Sequence, residues 1–319
     1  MLVLAAWPCV ACGREDGATP LAFGTAGSAQ NPCFAPDDDR VLFTHFRTAY
    51  NEGPADLVVG TLATSAARTL VADGNDNINL PGAAWNDATG RIVFTSSRPP
   101  HDEVFAIDDE GAPGDEWPVT GREGLMAFEP SLSPDGTRVV FESHVEPAEG
   151  TPDDPEDLAA GPGAIAIVNV DEGRPAGAAD VVFVTDGTFD DRQPNWSPAG
   201  DLVVFQRRDD DGTHLWVADP DQPGSERPLT SGDEEETDAS FSADGLRVVY
   251  SGSVEDEERA SVFVIDLDGE APIRVTRSAG YDGAPSFSHD GRSIAFESSD
   301  EDPDGSMGTS LFVIDVSEE

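Results

Sequence analysis

Gln193-Pro194-Asn195-Trp196-Ser197-Pro198-Ala199-Gly200-Asp201-Leu202-Val203-Val204-Phe205 reads as a strand ending on an aromatic residue, a tight turn, and a second, apolar strand. Five edited copies of this pattern run along the 319 residues. Their aromatic or large apolar anchors are Phe34, Trp85, Leu132, Trp196, Phe241 and Phe287, at spacings of 51, 47, 64, 45 and 46. A unit repeated at a period of a few tens of residues marks a repeat architecture, in which neighbouring units bury each other's apolar faces.

The anchors are followed by turns such as Ser133-Pro134-Asp135-Gly136, Ser242-Ala243-Asp244-Gly245 and Ser288-His289-Asp290-Gly291. Pro presets φ at a turn corner, and Asp-Gly supplies the positive φ that joins antiparallel strands. The runs that follow, such as Val41-Leu42-Phe43 and Val139-Val140-Phe141, do not alternate with polar residues, so both their faces are covered. A third strand follows, as in Leu215–Asp219 and Val262–Asp266, then a short fourth that often ends in Thr, as at Thr120, Thr185, Thr230 and Thr276.

Four antiparallel strands in each of six units define an all-β, six-bladed β-propeller. The sixth unit stops at Asp315–Glu319 without a fourth strand, while Thr19-Pro20-Leu21-Ala22-Phe23 precedes the first anchor with no unit of its own. Pairing that N-terminal strand onto the last blade closes the ring and removes an exposed edge. The expected organisation is one propeller over residues 19–319 behind a signal and tether over 1–18.

Pro194-x-Trp196-Ser197-Pro198-x-Gly200, Leu215-Trp216-Val217-Ala218-Asp219 and Pro228-Leu229-Thr230 together resemble the WD-like propeller repeat of the TolB type. The resemblance covers about residues 19–316 and is strongest in the last three units. Units one and two depart from it at the turn, and unit three carries an insert from Glu146 to Pro162. TolB proteins carry an α/β domain ahead of the propeller, whereas about 18 residues precede the first strand here. Similar propellers precede serine peptidase domains, while this sequence stops after the last blade. The resemblance implies a non-catalytic, exported scaffold that binds a protein, peptide or glycan. The alternative is a divalent-metal-dependent hydrolase or lyase with its site at an acidic channel mouth. No His-Glu-x-x-His or Gly-x-Ser-x-Gly is present, and the five histidines are scattered among units, with His45 and His144 both following second strands.

Charge narrows the partners. Asp and Glu number 63 against 18 basic residues, all of them Arg, for a net charge of −45. Such a surface repels nucleic acid and anionic lipid, and it suits a cationic protein or peptide, divalent metal, or a saline habitat. The absence of Lys excludes a P-loop lysine and a Schiff-base lysine. Strand order places the two-to-three loops and the blade crossovers on one face, where acids collect. Glu129, Asp190, Asp191, Glu236, Asp238 and Asp282 are the candidates for a partner-binding face on a monomeric propeller.

Asp300-Glu301-Asp302-Pro303-Asp304-Gly305 places three hard oxygen ligands, Asp300, Asp302 and Asp304, in one loop, a pattern that suits Ca2+. The twelfth position of an EF-hand-like loop is Leu311, so the distal acid is missing. Met1–Gly13 runs from apolar residues through small ones to Cys12 before turning polar, which is similar to a bacterial lipoprotein signal with Cys12 as the lipidated residue. No basic region precedes the run, and Cys9 stands where Leu is usual. The expectation is a periplasmic or cell-surface protein that meets the membrane only through that lipid.

Overall fold

The computed structural model describes residues 14–121, 124–145, 161–210, 212–254, 257–268, 271–300 and 308–317. Six four-stranded antiparallel sheets form the blades of a propeller. Blade one consists of Ser28–Phe34, Arg40–Phe46, Ala55–Thr61 and Ala66–Val71, and blades two to five follow in chain order. Blade six takes three strands from the C-terminal part, Tyr281–Phe287, Ser293–Ser299 and Ser310–Asp315, and its outermost strand from Thr19–Pro20. Thr19 pairs with Val313 and Pro20 with Phe312, so the ring closes as the sequence pattern indicates. Beyond that pair Phe23 turns away to stack on Phe43 of blade one at 5.3 Å.

The core is not central. Six apolar clusters each fill one seam between neighbouring blades, as where Leu42 and Leu57 of blade one meet Trp85 and Phe94 of blade two. This explains the non-alternating second strands: Val41, Leu42 and Phe43 are all fully buried because each strand faces a seam on both sides. Arginines at the start of second strands cover the anchor of the next blade. Arg40 lies 4.8 Å over Trp85, Arg138 lies 4.7 Å over Trp196, and Arg247 lies 5.3 Å over Phe287.

The recurrent polar residues have local duties. In the Ser-Pro-Asp-Gly turn, Ser133 donates to Asp135 at 2.7 Å and accepts Arg138 N–H at 2.9 Å, and the Ser242 and Ser288 turns repeat both bonds. In blades two to five the Thr just after the fourth strand satisfies an N–H of the third. Oγ1 of Thr120, Thr185, Thr230 and Thr276 accepts the N–H of Val104, Ile165, Leu215 and Val262 at 2.9–3.0 Å.

A second regularity positions the site. The residue three before each anchor has positive φ: Asn31 52°, Gly82 93°, Glu129 49°, Gln193 51°, Asp238 53° and Ala284 46°. In five blades it sits where the first-strand register shifts, the mark of a β-bulge. Five non-glycine residues in this conformation persist only because their surroundings hold them there. Their N–H groups are caught by neighbours: Asn31 by Glu297 at 3.1 Å, Glu129 by Thr95 at 2.8 Å, Gln193 by Glu142 at 3.2 Å, Asp238 by Gln193 at 3.0 Å and Ala284 by Ser251 at 2.9 Å.

Blade two departs from the rule and closes the channel. Its first strand is paired over Asn77–Ile78, the chain then leaves the ladder through residues 79–83, and Trp85 pairs again with Ile92. Pro81 O accepts Asn195 Nδ2 at 2.5 Å, Ala83 N–H donates to Asn195 Oδ1 at 3.0 Å, and Gly82 O accepts Cys33 Sγ at 2.8 Å. A Cβ on Gly82 would meet Ser240 Cβ of blade five at 2.6 Å. Blades one, four and five therefore all touch this segment, which plugs the axis. The residues just before the anchors, Cys33, Ala84, Ser131, Asn195, Ser240 and Ser286, are at most 1% exposed, so the axis is shut at this level.

Candidate functional site, an acidic funnel

On one side of the plug the bulges and the adjacent second strands gather four carboxylates. Glu129 and Asp238 come from the bulges, and Glu142 and Glu297 from second strands, each ten residues after its anchor. Gln193 links the two bulge acids, its Nε2 donating to Glu129 Oε1 at 3.2 Å while its Oε1 accepts Asp238 N–H at 3.0 Å. Asp238 Oδ2 also accepts the hydroxyls of Thr237 at 2.8 Å and Ser251 at 2.9 Å. Glu142 bonds His144 Nε2, with Arg192 Nε at 4.0 Å. Tyr281 donates to Glu297 Oε1 at 3.1 Å and meets the edge of Tyr50 at 6.4 Å between ring centroids.

Burial and nearby negative charge hold two of these acids, Glu297 and Glu129, back from ionising. Burial, then the nearby charge of Asp238, pushes Glu297 up to about 8. Burial and the neighbouring Glu142 raise Glu129 well above the usual carboxylate range. Tyr281 is raised as well, by burial and by Glu297. Glu297 thus keeps its proton at neutral pH, and a nearby cation would favour its loss.

The six acids singled out in the sequence separate into groups. Glu129 and Asp238 reach the funnel. Asp190 is half-buried beside it, accepting Arg192 Nε at 3.0 Å and Gly163 N–H at 2.8 Å. The other three occupy one repeat position, five before the anchor, and each is buried against a basic side chain. Arg207 grips Asp191 at 2.6 and 2.8 Å, His214 Nδ1 bonds Glu236 at 2.7 Å, and Arg14 grips Asp282 at 2.8 and 2.7 Å. Sequence reasoning overlooked Glu142, Gln193, Glu297, Tyr50 and Tyr281. The first and third of these carry a legible signal, since a charged residue inside an apolar second strand needs a reason. His45 and His144 do not share a site, because His45 Nε2 lies 2.6 Å from Ala26 O whereas His144 bonds Glu142.

Among the described residues no three His, Cys, Asp or Glu side chains are grouped to hold a metal ion. Asp300 is exposed, while Asp302, Asp304 and Cys12 lie outside the described residues.

The geometry defines a six-bladed β-propeller whose channel is plugged and acidic on one side. Its fold is that of a TolB-type propeller. It is similar to TolB from Acinetobacter baumannii, at 17% identity and a TM-score of 0.63 over 88% of this chain and 64% of that one. It is also similar to a puromycin hydrolase (20% identity, TM-score 0.59, 92% of this chain and 46% of the hydrolase). An oligogalacturonate lyase from Vibrio parahaemolyticus matches over 94% of both chains, at 14% identity and a TM-score of 0.57. The chain spans 64% of the length of the TolB it matches. These likenesses establish the fold, which carries both binding and catalytic functions. No protein-family model and no curated protein matches the sequence.

Proposed function

We propose that the protein is a non-catalytic, exported TolB-type scaffold whose acidic funnel receives a cationic segment of a protein partner. One observation carries this reading: four carboxylates gather on one side of the plug, Glu129 and Asp238 half-buried and Glu142 and Glu297 buried, with Arg192 beside Glu142 and Glu129. The bulges support it, because five strained non-glycine residues aimed at one axis are a cost that packing alone does not require. The net charge of −45 steers a basic segment toward the same end. Export rests on the apolar residues before Cys12, and an attached lipid would add a membrane tether.

The test is fluorescence anisotropy of a labelled arginine-rich peptide against wild type and the Glu129→Gln/Asp238→Asn pair. Asn tolerates the positive φ at 238, so the backbone is preserved. The pair should lose about tenfold in affinity, equivalent to about 1.4 kcal/mol. Asp108→Asn, an exposed strand-end carboxylate outside the funnel, should bind like wild type. Equal loss in both variants would reduce the interaction to net charge and refute a site.

A further inference from the structure

We propose that the outermost strand of blade three, Val182–Phe183, is a docking edge for an extended, basic segment of a partner protein, which adds to that blade as a further strand. The edge of a sheet offers unpaired N–H and C=O groups, and native sheets blunt it with proline, charge or bulges. Five blades do so. Val119, Leu229 and Leu21 N–H each donate inward, to Val104 O, Leu215 O and Leu311 O at 2.8 Å, so the residue before each turns its backbone polar groups outward. Those residues are Pro118, Pro228 and Pro20 in blades two, four and six, which have no N–H to offer. Blade five has Arg274 at this place. Blade one has a register shift and Arg68, whose guanidinium bonds Gly111 O at 2.7 Å.

Blade three has none of these. Val184 N–H donates inward to Ile165 O at 2.8 Å, so Phe183 turns its N–H and C=O outward, and no turn or loop bond among the described residues uses them. The side chains are apolar and open, Val182 being 56% exposed and Phe183 45%. In blades two, four, five and six an aromatic ring on the third strand, Phe105, Trp216, Phe263 or Phe312, stands opposite the edge residue. Blade three sets Ala166 there instead and carries its ring on the edge itself. Charge selects the occupant. From 171 to 186 the chain carries Asp171, Glu172, Asp180 and Asp186 against one base, Arg174. The first three of these acids and Arg174 line a hollow at the turn leading into the strand. A second copy paired antiparallel about Phe183 would bring Asp180 of each chain toward Asp186 of the other, between chains of net charge −45. Like charges brought together across strands destabilise the pair, so the edge suits a different strand with basic ends.

The probe is the peptide Arg-Val-Thr-Val-Thr-Val-Arg, blocked at both ends, titrated into the full chain and followed by amide 15N NMR and hydrogen exchange. Binding should move the Phe183 amide proton downfield and slow its exchange. The same peptide N-methylated at its interior residues keeps the charge and side chains but cannot pair, and it should bind about fivefold or more weaker. Phe183→Pro installs the residue that three other blades carry at this place. By fluorescence anisotropy it should bind labelled peptide about fivefold or more weaker, with the melting temperature preserved. A Phe183 amide unmoved by peptide up to about 10 mM, where a millimolar site is filled, would overturn the proposal. Equal binding of the N-methylated peptide, or equal binding by Phe183→Pro, would do the same. A Phe183 amide already protected in the free protein would also overturn it, and a dimer in light scattering would then give the edge to a second copy. Phe183 lies on the outer rim of the ring and Gln193 in the funnel, so different amides read the two sites and either fails without the other.

Discussion

Replacing Arg14 with Ala should weaken the whole ring, although the residue precedes the first strand. Its guanidinium lies over the rings of Phe296 and Phe312, 5.1 Å from each centroid, and grips both oxygens of Asp282. The Asp282 side chain is 0% exposed and the Arg14 side chain 11%. Blade four builds the same arrangement from its own strand, with Arg207 over Phe205 and Trp216 and gripping Asp191. Blade six obtains its cation only when the N-terminal segment docks. Without Arg14, Asp282 keeps one hydroxyl partner, Ser278 at 2.7 Å. Truncating one member of a buried pair costs about 3–5 kcal/mol, because the other charge stays buried and uncompensated. A loss of that size lowers the melting temperature of a chain of this length by roughly 5–15 °C. Circular dichroism melts of wild type, Arg14→Ala, Asp282→Asn and the double variant measure it. The double variant should be more stable than Arg14→Ala but recover only part of the loss, because Asp16, which the same guanidinium grips at 2.7 and 3.1 Å, remains buried without it. A melt of Arg14→Ala within about 1 °C of wild type, or strictly additive losses, would refute the argument.

Stability should fall as pH rises through the range in which native Glu297 keeps its proton. The unfolded chain ionises this group near its ordinary 4.5 and the folded one near 8, so the native state binds more protons in between, and stability declines across that window. Glu297→Gln should flatten the decline, gaining on wild type at pH 8–9 and not at pH 4; parallel pH profiles in urea melts would count against it. By the same sign, peptide affinity in the funnel should strengthen with pH as that proton leaves, read by anisotropy at constant ionic strength. Gly82→Ala should destabilise by about 1–3 kcal/mol, since φ at that residue is 93° and the new Cβ would stand 2.6 Å from Ser240 Cβ. An unchanged denaturation midpoint for this variant would show that the plug is not packed against blade five.

Blade number, strand order, turn positions and ring closure follow from the sequence itself. They rest on local signals: apolar runs, Asp-Gly turns, and an N-terminal strand whose missing neighbours match the gap in blade six. Even the threonines ending the fourth strands were visible, although not their role as acceptors. The site was legible only in outline. Asp191, Glu236 and Asp282 look as available in sequence as Glu129 and Asp238, because sequence displays charge but not burial. Their partners Arg207, His214 and Arg14 stand 16, 22 and 268 residues away, and only the closed ring brings Arg14 to Asp282. The plug was marked by Pro81-Gly82 before the anchor Trp85, yet its meaning depends on Asn195 and Ser240 reaching the axis from other blades. What each unit does to itself is short-range and periodic, so the sequence by itself determined it. Which acids are paired inside the fold and which gather beside the plug depends on contacts between blades distant in the chain, and that only the tertiary structure decided.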